Sequence, residues 1–186
     1  MSELMEKKIL ESAKNVTVRS KRFPREEVMD DAAMLLKTVL NVAGVQKAEV
    51  AGSFRRHKPT IGDLDIIVAA KNPKKVADAV AKLPIVRTLV AHGPTKVSFD
   101  LKSGLRVDVR FVNRSQWGSA LLYFTGDKEH NISLRKRAIE RGWKLNEYGL
   151  FEGEKLIASR EEKDIYMALD LSFIEPTKRT SVLPVS

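Results

Sequence analysis

From Val28 onward the apolar residues of this chain fall at helical spacing: Val28, Ala32, Leu35, Leu36, Val39 and Leu40 recur every three or four positions behind Pro24, a natural first-turn residue. The pattern predicts an amphipathic helix that ends near Gly44. A β-favouring run, Ala48–Ala51, then leads into Gly52-Ser53, and a continuous apolar stretch predicts a strand over Asp63–Ala69. Asn72-Pro73 opens a second helix, with Val76, Ala79, Val80 and Leu83 on one face until Pro84 stops it. Three strands are predicted next, Ile85–Ala91, Lys96–Leu101 and Leu105–Phe111, with turns at Gly93-Pro94 and Ser103-Gly104. From Ser115 the spacing becomes helical again, interrupted at Thr125-Gly126 and resumed to Arg141-Gly142. Short strands at Lys144–Asn146, Gly149–Phe151 and Lys155–Ala158 follow, and Ser159 with Glu162 reads as a capping box for a last helix ending near Leu171.

These elements predict an α+β protein in two parts. A mixed sheet with helices occupies residues 22–115, and a helical unit with a small antiparallel sheet occupies 116–186. Residues 1–21 are expected to form a short charged helix and a basic lead-in with Lys14, Arg19 and Lys21, continued by Arg22. No Pro/Gly/Ser-rich linker separates the two larger parts, so they are expected to pack closely with a cleft between them.

At 186 residues and 43% hydrophobic the chain is long enough for a sizeable core. It has no cysteine, which excludes a disulfide framework and thiolate metal sites. No apolar run approaches a membrane span, and Glu3, Glu6 and Glu11 break up any secretory leader, so a cytoplasmic or viral location is expected. The net charge of +9 is unevenly spread: residues 1–115 carry 22 basic against 13 acidic side chains, and residues 116–186 carry 11 of each. The excess fits a polyanionic partner, and equally a merely basic surface.

The chemistry concentrates in GSFRRHKPTIGDLDIIV, Gly52 to Val68. Asp63 and Asp65, two apart on a strand, present two carboxylates to one face, an arrangement that a hard divalent cation stabilises. Alone, such a pair is usually a solvated strand edge or turn. Asp108, in the alternating strand Arg106-Val107-Asp108-Val109-Arg110, lies on the face opposite its apolar neighbours. If that strand pairs beside Asp63–Ala69, three carboxylates converge, the ligand set of a two-metal phosphoryl-transfer site. Asp108 is then the candidate to accept a hydroxyl proton. Ser53, Gly62 and Arg56 can supply a hydroxyl, an open backbone N–H and a guanidinium fork to phosphate oxygens, while Arg55 points elsewhere. Tyr123 and Phe124 read as core aromatics on their own, Trp117 and Trp143 as packing residues, and Arg135-Lys136-Arg137 as a solvated helix face. His130 is open between a phosphate contact and the surface. His57 and His92 have no chemical partners at metal-ligand spacing.

Together, GSFRRHKPTIGDLDIIV, RVDVRF around Asp108, QWGSALLYFTGDKEHNISLRKRA from Gln116 to Ala138, LNEYGLF and IYMALDLSFIEP resemble the family X DNA polymerases, in their prokaryotic branch. The resemblance covers most of the chain from about Arg22. It implies a palm followed by a thumb, templated addition of dNMP to a primer 3′-hydroxyl, short-gap filling in repair, and two Mg²⁺ ions for which Mn²⁺ can substitute. By position it implies that Asp63 and Asp65 bind both metals and Asp108 the catalytic one. Ser53, Arg56 and Gly62 fall on triphosphate-binding positions, with Gly126 also in the nucleotide site. Tyr123 and Phe124 match the pair beside the incoming sugar, Asn131 the residue facing the incoming base, and Arg135 one near the template. Lys21, Arg22 and Arg106 are assigned with Arg135 to the DNA.

The chain departs from the family pattern at its start, where no glycine occurs in the first 20 residues and no lyase domain or helix-hairpin-helix is expected, and at its end, where no phosphoesterase domain is expected. HKPTI between Arg56 and Gly62, and Asp127-Lys128, also differ from the usual residues. The partners expected are gapped or primer-template DNA and a dNTP, with a monomeric protein. An untemplated terminal transferase and a catalytically weak DNA-binding core are the alternatives.

Overall fold

The computed structural model describes Glu3 and residues 21–184, so the expected N-terminal helix beyond Glu3 and two residues of the basic lead-in, Lys14 and Arg19, lie outside the described residues. The first part is built on a five-stranded sheet in the order β2-β4-β7-β6-β5: β2 Val45–Val50, β4 Asp63–Ala70, β5 Thr88–His92, β6 Lys96–Asp100 and β7 Arg106–Val112. β4 and β7 run parallel and the other pairs antiparallel. A two-residue pair, β1 Phe23–Pro24 with β3 Thr60–Ile61, ties the chain before helix α1 (Arg25–Leu40) to the loop that precedes β4.

Alternation decides which face each strand buries. Leu64, Ile66, Val68 and Ala70 of β4, with Val107, Val109 and Phe111 of β7, pack against α1 and helix α3 (Pro73–Ala81) as the main core. The opposite face of β4 carries Asp63, Asp65, Ile67 and Ala69. Its Ile67–Ala69 end is covered by Trp117, Ala120 and Leu121 of helix α4 (Trp117–Thr125). The Asp63–Asp65 end is left facing the cleft. The small helix α2 (Gly52–Arg55) links β2 back toward β3.

The second part comprises α4, helix α5 (Lys128–Glu140), a three-stranded antiparallel sheet in the order β10-β9-β8 (β8 Lys144–Asn146, β9 Gly149–Glu152, β10 Lys155–Ala158) and helix α6 (Glu162–Ala168). Leu122, Leu134, Leu150, Ile165 and Tyr166 form its core.

Three local expectations are corrected. The strand expected over Ile85–Ala91 begins only at Thr88, because residues 85–87 form the turn out of α3. The last helix ends at Ala168, not Leu171. Ser159 does not cap it: its hydroxyl donates to Ser115 O at 2.6 Å, and Glu162, the supposed partner, turns inward to two arginines. The apparent capping box is thus a junction between the two parts. Within the second part the same segment is held against α4: Ser119 N donates to Ser159 O and Gly118 N to Arg160 O, and a Cβ added to Gly118 would collide with the Glu161 backbone.

Candidate active site

The Gly-Ser turn and the carboxylates are one structure. Ala51 N donates to Asp65 O at 2.8 Å, which draws the end of β2 onto the start of β4. Gly52 has φ +61°, and a Cβ there would collide with the Asp65 carboxylate, so only glycine fits on both counts. The Arg25 guanidinium lies 4.1 Å from the centre of the Phe54 ring and donates to Phe54 O, holding α2 from the α1 side.

Parallel pairing of β4 with β7 sets Asp65 directly opposite Asp108, and Asp63 opposite Arg106. Antiparallel pairing of β7 with β6 sets Asp108 opposite Ser98, whose hydroxyl donates to Asp108 Oδ1 at 2.5 Å. Lys96 Nζ is 3.9 Å from the same oxygen. Burial, then the Asp108 and Asp63 charges, push the Asp65 carboxyl up to about 7. A cation beside Asp65 would relieve both causes at once. In donor type and adjacency the three aspartates therefore suit a hard divalent ion, although no group of three or more His, Cys, Asp or Glu side chains among the described residues closes to ligating geometry.

In front of Asp63 and Asp65 opens a cleft of about 630 Å³ between the two parts. From the first part come Gly52, Ser53, Arg56 and Gly62, and from the second Tyr123, Phe124, Gly126, Asn131 and Arg135. Arg56 crosses the cleft, its Nη1 donating to Thr125 O, while its buried Nε has no hydrogen-bond partner among the described residues. An unpaired guanidinium N–H beside a polar cleft fits an anionic ligand. Gly126 leaves room for that guanidinium, since a Cβ would come within 3.1 Å of it. Asn131 Nδ2 donates to Tyr123 O at 2.7 Å, which joins α5 to α4 across the bend at Gly126. Tyr123 and Phe124 stack edge to face at 5.0 Å, and Phe124 also lies under the Arg110 guanidinium at 4.1 Å.

Several residues make contacts that the sequence did not foretell. Arg22, assigned to DNA, lines the cleft: it donates from Nε to Thr60 Oγ1 and from Nη2 to Thr60 O, and its Nη1 lies over Gly62. Arg106 is held by Asp100 through Nε at 2.5 Å, and Lys21 lies over the Phe23 ring at 5.1 Å. His130 is at neither of its two expected places: it is fully buried, with Nδ1 2.8 Å from Thr180 O and Nε2 2.8 Å from the Tyr166 hydroxyl. Lys128 and Thr125 line the cleft unforeseen. For Lys128 the available signal was its place in the first turn of a helix that opens on the cleft.

Arg55 does point away from the cleft. It makes a two-pronged contact with Glu162 at 2.7 and 2.9 Å and donates to Thr125 Oγ1, while Arg179 binds Glu162 from the other side at 2.7 Å. The turn that carries Ser53 and Arg56 is thereby anchored to α6 and to the C-terminal segment.

A parallel β4–β7 pair bearing paired carboxylates, fronted by a glycine-serine turn and roofed by a helical unit, defines a nucleotidyltransferase palm with a thumb. Residues 22–117 match the family model described as DNA polymerase beta palm, and residues 120–180 the one described as DNA polymerase beta thumb. The chain belongs to the family X DNA polymerases. It is 33% identical over 180 residues to a DNA polymerase/3'-5' exonuclease PolX of Bacillus subtilis, covering 95% of this chain and 32% of that protein. It is 28% identical over 192 residues to DNA polymerase lambda of Rattus norvegicus, covering 85% of this chain and 33% of the relative. With Repair DNA polymerase X of African swine fever virus it shares 26% identity over 139 residues, covering 69% of this chain and 78% of the relative. The chain thus spans about a third of the length of the bacterial and rat proteins. Among the described residues no helix is long and apolar enough to cross a membrane.

Proposed function

We propose that the chain is the polymerising core of a template-directed DNA polymerase that extends a primer 3′-hydroxyl by one dNMP at a time and fills short gaps. The observation that carries the reading is the register that sets Asp108 directly beside Asp65, which with Asp63 lines a cleft whose walls supply cations and glycines from one side and aromatics and an amide from the other. Ser53, Arg56 and Gly62 bind the triphosphate, joined by Arg22 and Lys128 at the same cleft. Tyr123 and Phe124 lie against the sugar, Asn131 faces the base and Gly126 leaves space beside Arg56. Arg135 and Arg106 meet the DNA.

Asp63, Asp65 and Asp108 would hold two divalent ions, Mg²⁺ or Mn²⁺, which supply charge for the developing pyrophosphate and acidify the attacking hydroxyl. Asp108 accepts the primer hydroxyl proton. The primer oxygen then bonds to the α-phosphorus as the bond to pyrophosphate breaks, and Arg56 stabilises the charge left on the departing phosphates.

Primer extension on a duplex with a one-nucleotide gap tests this, each dNTP being supplied singly with Mg²⁺ and Asp108→Ala run beside the parent. Addition of the complementary nucleotide alone, abolished in the variant, is expected. Addition of any nucleotide would replace the reading with a terminal transferase. No addition by the parent would reduce it to a DNA-binding core.

A further inference from the structure

We infer that Ser98 is a positioning residue for Asp108, fixing the orientation in which that carboxylate takes up a metal ion and the primer proton. The inference rests on the proposed function of the triad.

Ser98 lies in the middle of β6, between Val97 and Phe99, and all three are buried; Ser98 itself is 3% exposed. Val97 and Phe99 point into the main core, whereas Ser98 faces the carboxylate side of the sheet. A buried strand position of this kind ordinarily takes an apolar side chain, because a hydroxyl removed from water costs free energy unless it is bonded. Here its hydrogen is directed to Asp108 Oδ1. The register makes this geometry obligatory. Asp65, Asp108 and Ser98 form one row across three adjacent strands, with neighbours about 4.8 Å apart, so the carboxylate is held between a like charge on one side and a donor on the other.

A carboxylate on a strand has a soft terminal torsion, and repulsion from Asp65 would turn it away. The Ser98 hydroxyl engages one oxygen and sets the plane of the group, which leaves the second oxygen for chemistry. Lys96, two residues along on the same face, adds charge to the same oxygen but is 40% exposed and 3.9 Å away, so it provides attraction without defining orientation. Hydrogen-bond partners of ligating carboxylates commonly set metal affinity in this way.

The test compares Ser98→Ala and Ser98→Thr with the parent. Mn²⁺ binding is read by electron paramagnetic resonance in a complex with dNTP and gapped DNA carrying a dideoxy-terminated primer, so that metal uptake is seen without reaction; kcat, KM and melting temperature are measured alongside. Ser98→Ala is expected to weaken Mn²⁺ binding and lower kcat by about 10- to 100-fold, with KM for dNTP moving less than about threefold, and Ser98→Thr to recover most of both. Unchanged Mn²⁺ binding and kcat in Ser98→Ala would overturn the inference. So would losses shared equally by Ser98→Thr and accompanied by a fall in melting temperature, which packing alone produces. A parent that extends no primer yet loses Mn²⁺ on Ser98→Ala would overturn the polymerase reading and uphold the role of Ser98.

Discussion

Replacing Glu162 by Gln should loosen the C-terminal segment and weaken one link between the two parts of the molecule while leaving its shape unchanged. The Glu162 carboxylate is 7% exposed and bound by Arg55, 14% exposed, and by Arg179, which is fully buried. One Nη of Arg179 already has no partner among the described residues. The amide retains a single acceptor oxygen and no charge, so two guanidinium groups are left facing each other in a site closed to water. Breaking a buried pair by removing one partner costs about 3–5 kcal/mol, a large share of the roughly 5–15 kcal/mol that holds a domain together. Arg55 keeps Glu49 at 3.3 Å and the Thr125 hydroxyl, so the loss falls mainly on Arg179 and the C-terminal segment that it anchors. Urea unfolding followed by tryptophan fluorescence reports on this region directly, since Trp117 sits in the junction and Trp143 packs against the thumb core. The midpoint should fall with little change in slope. Replacing Arg55, Glu162 and Arg179 together by Met, Leu and Met should recover most of the stability. Because Arg55 also steadies the turn bearing Ser53 and Arg56, Glu162→Gln should weaken dNTP binding too. A loss below about 1 kcal/mol would refute the argument, since it would mean that water or a rearranged side chain neutralises the site.

Three further outcomes are expected. Burial, against a smaller opposing effect of its bond to Thr180 O, holds the His130 ring below the usual histidine range; the carbonyl can only accept, so Nδ1 carries the proton and Nε2 accepts from Tyr166. The stability that this neutral ring contributes is complete above about pH 6.5, its unfolded value, and is lost as pH falls below it, so the drop in melting temperature from pH 7.5 to 5.0 should be smaller in His130→Gln. Gly118→Ala should cost about 1–3 kcal/mol in urea unfolding, because its Cβ meets the Glu161 backbone rather than a movable side chain. Lys128→Ala should weaken dNTP binding about tenfold with less effect on DNA affinity, measured by fluorescence anisotropy in Ca²⁺.

Much of the site was legible because its parts are local and periodic. Residues two apart on a strand share a face whatever surrounds them, so Asp63 with Asp65, and Asp108 opposite its apolar neighbours, followed from alternation alone. Glycines at Gly52 and Gly62 and the helix-forming run from Trp117 were readable for the same reason. What could not be read was anything that depended on which strands become neighbours. That Asp108 faces Asp65 and not another strand comes from the parallel β4–β7 pairing across the intervening β5–β6 hairpin. The same pairing makes Ser98, featureless in the sequence, a partner of Asp108. Long side chains misled most: Arg22 reaches back over Gly62, Glu162 turns from a helix terminus into a buried ion cluster, and His130 closes on a residue 50 positions away. Local periodicity sets the direction in which a side chain leaves the backbone. Its partner at the far end, and hence its charge state and role, is decided only when the two parts of the chain have packed together.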